Sequence, residues 1–359
     1  MLSSATLAWL IDQAFEIDGA DRFLAEFAIR LAAENAPIAG AALTLAVADP
    51  LVARRAWLWR ADRGEVIEAL AFAPAVGPAE PAGSLNPEAR SWLARIAPGP
   101  VEEFIVGAGA GAPRLAFAGA RAFLAAETEF LRLAARHAAA PLAALAARAT
   151  LAATLEAYLG RRSAAAALAA PLRRTVGETI EAALLFADLR DFTAMSESEP
   201  PAEVIAALDA WFDRIAGAVH AFGGEVLKFI GDGVLAIFPV EGSPKSACAA
   251  AVQAVVAARA GMARLNAERQ GPALQFGAAL HLGRMLWGNI GAANRLDFTA
   301  IGPAVNLVSR LEGLCRPLDR AVLVSGAFAA ETTAPLVPLG THALRGIAAP
   351  CAVFTVEEG

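Results

Sequence analysis

At 359 residues the chain is longer than a single core usually runs, and it is read as two domains. Its hydrophobic share of 57% owes much to alanine, and a net charge of -6 with no basic run argues against nucleic acid as a partner. No stretch of about 18 apolar residues is free of charge, so no membrane insertion is expected. The N-terminus carries acids early and has no basic leader, so a signal peptide is not expected. Three dispersed cysteines, Cys248, Cys315 and Cys351, suit a reducing, cytoplasmic setting. Four histidines, His137, His220, His281 and His342, do not cluster as a zinc site would require.

From Thr6 to Glu34, Leu7, Leu10, Ile11, Phe15, Phe23, Phe27 and Leu31 recur at helical spacing and predict an amphipathic helix. Strands are expected over Ala41 to Val47, Ala56 to Arg60 and Val66 to Phe72, with a turn at Asp62-Arg63-Gly64. The Pro-, Gly- and Ala-rich run from Ala73 to Pro87 reads as a loop. A short helix at Pro87 to Ile96 and strands at Val101 to Val106 and Leu115 to Phe117 come next. A long helix over Ala122 to Leu159 is expected to kink at Pro141 and end at Gly160. It either packs as an ordinary helix or pairs with its copy in a dimer. This order of elements, with the stretch AETEFLRLAARHAA, resembles a GAF-type sensor domain, and a PAS-like domain is the nearest alternative. The resemblance implies a smaller α/β regulatory domain at residues 1–121, taking an unidentified small-molecule or protein regulator. A signalling helix and linker would occupy residues 122–177.

The remaining residues, 178–359, read as one further domain. Ala182 to Ala187 is a buried-strand run, and Asp188-Leu-Arg-Asp-Phe-Thr leaves it. A helix follows over Pro201 to Phe222, with Leu208, Trp211, Phe212, Ile215 and Val219 on its core face. In GGEVLKFIGDGVLAIFP (Gly223 to Pro239), two apolar runs flank Gly231-Asp232-Gly233, and Asp-Gly between such runs predicts a hairpin. A second long helix is expected over Ser246 to Glu268 and a strand over Phe276 to Leu282. Gly283 to Gly291 (GRMLWGNIG) reads as a turn-rich connection. Phe298 to Gly302 leads into a helix from Ala304 to Leu314. Strands alternating with helices and a hairpin give an α+β sheet domain with helices packed on it.

Several polar residues stand out against this apolar framework. Asp188 ends a strand and Asp232 sits in a turn. If the strands are neighbours, both carboxylates project at one sheet edge and suit Mg²⁺. Alone, each has an ordinary reading, Asp188 as a helix cap and Asp232 as a turn residue. Lys228 is a lone cation on a strand and could equally be a solvated edge position. Asn306 and Arg310, four apart, share a helix face, which suits a sugar oxygen and a phosphate or a plain polar stripe.

FADLRDFT, GGEVLKFIGDGVLAIFP, HLG, GNIG, DFTAIGPAVNLVSRLE and LGTHALRGIAAPCAVFTV occur here in an order that resembles class III nucleotidyl cyclases over residues 178–357. The resemblance implies a ferredoxin-like catalytic domain, an antiparallel sheet with packed helices, working as a homodimer. It implies adenylate cyclase activity on ATP with two Mg²⁺ (or Mn²⁺) per site, a guanylate cyclase or a silent nucleotide-binding relay being the alternatives. Asp188, Asp232 and the backbone carbonyl of Leu189 match the metal ligands. Lys228 and Thr299 match the base-reading pair, a Lys/Thr combination found in bacterial members. Asn306 and Arg310 match the ribose-orienting and transition-state residues. Arg345 falls at the terminal-phosphate position, and Arg295 is a further phosphate candidate. Lysine only donates, so Lys228 suits N1 of adenine, and the Thr299 hydroxyl can accept from the 6-amino group. Asp191 departs from the pattern: it stands where many relatives have Gly, and an acid there should repel phosphate unless it points away or caps the helix. Pro303 departs as well, at a helix start where proline is acceptable.

Overall fold

The structure is a computed structural model that describes residues 4–46, 52–72, 87–97, 99–108, 111–169, 177–269, 271–292 and 295–357. The chain divides into two compact units, Met1–Ala157 and Tyr158–Gly359. In the first, helices α1 (Ala5–Asp12) and α2 (Ala20–Ala33) precede strands β1 (Ile38–Ala46), β2 (Val52–Arg60) and β3 (Val66–Phe72). Then come α3 (Pro87–Ile96), β4 (Val101–Ile105), β5 (Arg114–Gly119), α4 (Ala125–His137) and α5 (Ala139–Leu159). The strands form one antiparallel sheet in the order β3-β2-β1-β5-β4. Alternation along β1 sends Leu43 and Leu45 to one face and Ala42 to the other. The first face packs on Phe23, Phe27 and Leu31 of α2 and Leu131 of α4, and the second on Ala89 and Leu93 of α3.

Two expected helices break for identifiable reasons. The Thr6 to Glu34 helix is interrupted between α1 and α2 at Gly19, whose φ of 98° lies outside helical space. The Ala122 to Leu159 helix divides between His137 and Ala139. The ring of Pro141 clashes with the carbonyl four residues back, that of His137, so the break precedes the proline. Gly160, at φ 79°, ends α5. The loop expected at Ala73 to Pro87 lies outside the described residues except at Pro87.

The second unit starts with α6 (Arg161–Ala169), β6 (Glu178–Leu189), α7 (Phe192–Ser198), α8 (Pro201–Ala221), β7 (Glu225–Ile230) and β8 (Gly233–Pro239). It continues with α9 (Pro244–Glu268), β9 (Phe276–Ala292), β10 (Arg295–Ile301), α10 (Pro303–Glu312), β11 (Val322–Ser325), α11 (Gly326–Ala329), β12 (Leu336–His342) and β13 (Cys351–Val356). Its sheet runs β12-β13-β11-β9-β6-β8-β7, with β10 folded back on β9. The pairs are antiparallel except β9–β11, which is parallel. That departs from the all-antiparallel expectation, because α10 carries the chain back across the sheet between those two strands. Helices α8 and α9 cover one face through Trp211, Ile215, Val219, Ala251, Val255 and Met262. Helix α10 covers the other through Ala304, Val308 and Leu311.

The run Gly283 to Gly291 is not a turn-rich connection. Strand β9 passes through it without interruption to Ala292. Its glycines answer close approach: a side chain at Gly283 would meet Ala304 Cβ at 2.8 Å, and one at Gly288 would run into the backbone of Gly177. Helices α5 and α9 are long and apolar enough to cross a bilayer by length and composition alone. Half of the apolar stretch of α9 is buried in the second unit, and α5 buries Pro141, Leu142 and Leu145 in the first.

Gly224 joins α8 to β7 under the ring of Phe238, which is 2% exposed, and a side chain there would come within 2.8 Å of Val219 as well. Gly224→Ala is expected to cost about 1–3 kcal/mol by overpacking. A urea titration followed by tryptophan fluorescence checks this, and an unchanged midpoint would show that the ring gives way freely.

Candidate active site

Strands β6 and β8 are direct neighbours, with Ala187 opposite Val234, so the end of β6 and the β7–β8 turn lie at one edge of the sheet. Gly231, at φ 65°, and Asp232 make that turn. It is pinned from below: the fully buried Trp211 donates its indole Nε1–H to the Asp232 carbonyl at 2.9 Å. Asp188 and Asp232 therefore line one open cleft of about 490 Å³, together with Leu189, Asp191, Phe192, Thr193, Ala194, Glu197 and Arg316. A side chain at Gly233 would sit 3.4 Å from Asp188 Oδ1, so the absence of one leaves the carboxylate its room.

Asp188 Oδ1 is buried without a hydrogen-bond partner. Burial first, then hydrogen bonding to and repulsion from Asp232, and repulsion from Glu312, push its pKa from 3.8 up to about 7. Glu312, at the end of α10, is itself raised by burial, an effect opposed by the Arg190 guanidinium and reinforced by Asp232. An orphaned buried carboxylate oxygen facing a second carboxylate is a donor set for a hard divalent cation, and Mg²⁺ fits it. Among the described residues no group of three or more His, Cys, Asp and Glu side chains gathers as a metal cage. A cation here would draw on the two aspartates, the Leu189 carbonyl and substrate oxygens.

The other sequence-predicted residues lie elsewhere. Lys228, on the edge strand β7, follows a bulge between Val226 and Lys228 and is ion-paired with Asp297 on β10. Thr299 is two residues further along β10 and shares the face of Asp297. Asp297 was not singled out from sequence. Asn306 and Arg310 are exposed on the outward face of α10, opposite the buried Ala304, Val308 and Leu311. Neither lines the carboxylate cleft. Arg345 is exposed in the loop between β12 and β13, also away from the cleft. Arg295 pairs through its backbone with Ala292, and its side chain lies outside the described residues.

Asp191 adopts the left-handed conformation, φ 59°, at the start of α7 and makes no side-chain cap. Its Oδ1 lies 3.0 Å from Arg316 Nη2. His281 is a structural group: it is buried, Nδ1 lies 2.8 Å from Ser325 Oγ, and desolvation lowers its pKa to about 4, so it stays neutral. The buried thiols of Cys248 and Cys315 are pushed up to about 12, which leaves them unreactive.

Residues 176–330 match the family model described as the adenylate and guanylate cyclase catalytic domain. The matched residues lie within the second unit. The chain is similar to adenylate cyclase 1 of Rhizobium meliloti, 32% identical over 179 residues, which are 48% of this chain and 27% of that protein. It is also similar to an adenylate cyclase of Anabaena cylindrica, 30% identical over 159 residues, 42% of this chain and 31% of that protein. The matches thus span less than a third of either curated relative. Over 75% of this chain and 88% of the other, the fold is similar to a bacterial light-regulated adenylyl cyclase, with a TM-score of 0.54 and 21% identity.

In the second unit the folded chain holds a proton on Asp188 that the unfolded chain releases, between the ordinary carboxylate range and about pH 7. The cost of charging this group is therefore absent in acid and complete above that pH. In a chelating buffer, Asp188→Asn is expected to raise the thermal midpoint by a few degrees at about pH 8. The gap should shrink toward zero as the pH falls to about 5. A gap that does not change with pH would refute the raised pKa.

Proposed function

We propose that the chain is an adenylate cyclase that converts ATP to 3′,5′-cyclic AMP and pyrophosphate. The observation that carries this is the cleft at the end of β6, where Asp188 and Asp232 meet with an orphaned carboxylate oxygen inside a cyclase catalytic domain. The names of the relatives from Rhizobium meliloti and Anabaena cylindrica support the choice of ATP.

The reaction is an intramolecular phosphoryl transfer. The ribose 3′-hydroxyl gives up its proton to water as its oxygen bonds to the α-phosphorus, and the bond from that phosphorus to the bridging oxygen breaks, its electron pair leaving with pyrophosphate. Two Mg²⁺ or Mn²⁺ ions, held by Asp188, Asp232 and the Leu189 carbonyl, would supply Lewis acidity for the attacking oxygen and charge compensation for the leaving group. The chain's own residues bind and orient. Lys228 donates to N1 of adenine, with Asp297 holding its ammonium in place. Thr299 accepts from the 6-amino group, which guanine replaces with a carbonyl. Asn306 fixes the ribose, and Arg310 places positive charge on the developing phosphorane oxygens. Arg345 and Arg295 are proposed on the terminal phosphates.

Asn306 and Arg310 point to solvent, away from their own chain's carboxylates. This supports a head-to-tail homodimer in which one chain supplies Asp188 and Asp232 and the other supplies Lys228, Thr299, Asn306 and Arg310. The first unit, a sheet with helices on both faces, is proposed as a GAF-like regulatory domain that tunes the rate.

Purified protein with Mg²⁺ or Mn²⁺ is expected to form cyclic AMP from ATP, little or no cyclic GMP from GTP, and no product after Asp188→Ala. Product from GTP alone would make the chain a guanylate cyclase. Tight ATP binding with no product under any condition would leave a silent nucleotide-binding relay. Asp232→Ala and Asn306→Ala are each expected to be inactive alone, and their mixture to regain one working site per heterodimer. A dead mixture of two variants that still dimerise would rule out shared sites.

A further inference from the structure

The cleft that holds Asp188 and Asp232 is strongly acidic. Asp191 and Glu197 line it too, and among its described lining residues Arg316 is the only cationic side chain. Arg316 lies just beyond the end of α10, in the turn that leads to β11, and reaches back to Asp191.

This ion pair makes little sense as a stability device. Both side chains are mostly exposed, at 82% and 66%, and an exposed pair adds little to stability. Asp191 meanwhile sits at a positive φ and forgoes the stabilising helix cap that an aspartate at that position usually makes. The geometry spends a favoured cap to hold a guanidinium at the mouth of the metal-ligand cleft. Held there, Arg316 is kept from collapsing onto Asp188 and Asp232, and it screens the acid at a position where a polyphosphate must pass.

We propose that Arg316 is a polyphosphate-binding residue of the site, supplied by the same chain as the two aspartates, and that Asp191 is its resting counter-charge. This rests on the nucleotide-cyclase reading of the cleft and adds a contact to it. When pyrophosphate or the terminal phosphates of ATP enter, the planar guanidinium exchanges one carboxylate oxygen for phosphate oxygens, which it can bind in a two-point fork. Arg316 therefore acts on substrate affinity and on release of pyrophosphate, and Arg310 acts on the α-phosphorus.

A different role would leave a different signature. If Arg316 merely neutralised Asp191, removing both charges together would restore wild-type behaviour. The test uses the full chain and three variants, Arg316→Gln, Asp191→Asn and the double Asp191→Asn/Arg316→Gln. Binding of inorganic pyrophosphate, with and without Mg²⁺, is read by calorimetry, and KM for ATP and product inhibition by pyrophosphate are read by assay. Arg316→Gln is expected to weaken pyrophosphate binding by about tenfold or more and to raise KM with little change in kcat. Asp191→Asn is expected to tighten pyrophosphate binding, because the competing carboxylate is gone. The double variant is expected to stay as weak as Arg316→Gln or nearly so. A double variant that binds pyrophosphate like wild type would overturn the proposal, and so would an Arg316→Gln variant with unchanged affinity. If wild type forms no cyclic nucleotide but binds pyrophosphate through Arg316, the cyclase reading falls and this contact stands.

Discussion

The adjacency of β6 and β8 is the constraint on which the second unit depends. It brings a strand end and a hairpin turn, which are far apart in sequence, to one edge of the sheet and puts two carboxylates into one cleft. Burial of the Asp188 carboxylate, and after it the repulsion from Asp232, oppose that arrangement and push the Asp188 pKa up. The apolar framework holds it in place. Ala183, Leu185 and Ala187 of β6 are fully buried beside Val234 and Ala236 of β8, and the buried Trp211 fixes the turn carbonyl. The strain is thus carried by packing on one face of the sheet.

Helix α10 is the second organising element. Its apolar face closes the opposite side of the sheet through Ala304, Val308 and Leu311. Its outward face carries Asn306 and Arg310, and its C-terminal end carries Glu312 toward the aspartates and leads to Arg316 at the cleft. One short helix therefore sorts its polar groups by position along its length. The middle faces solvent. The end serves the chain's own cleft.

Much of this was legible in the sequence because it is local. The hairpin follows from two apolar runs around Asp232, and the shared face of Asn306 and Arg310 follows from their spacing. What was not legible is pairing over distance. Lys228 meets Asp297 across 69 positions, and no pattern within either stretch announces it. Arg316 looks like any charged residue after a helix until Asp191 is placed beside it. The glycines of β9 misled for a different reason. Glycine serves turns through its backbone freedom and strands through its lack of a side chain, and the letters GRMLWGNIG do not say which. Only the positions of Gly177 and Ala304 decide it.

The position of β7 at the end of its sheet exposes the chain to another hazard. An edge strand exposes unpaired backbone groups that invite another strand, and here Phe229 and Ile230 are about half exposed beside them. The bulge before Lys228 and its long charged side chain interrupt that template, while Glu225 at the strand's start is engaged by Arg162. Lys228 is thus a guard against strand-to-strand aggregation. A swap of lysine for an acid keeps the guard, whereas an apolar replacement removes it. Changes at this position are then channelled through charged residues by solubility.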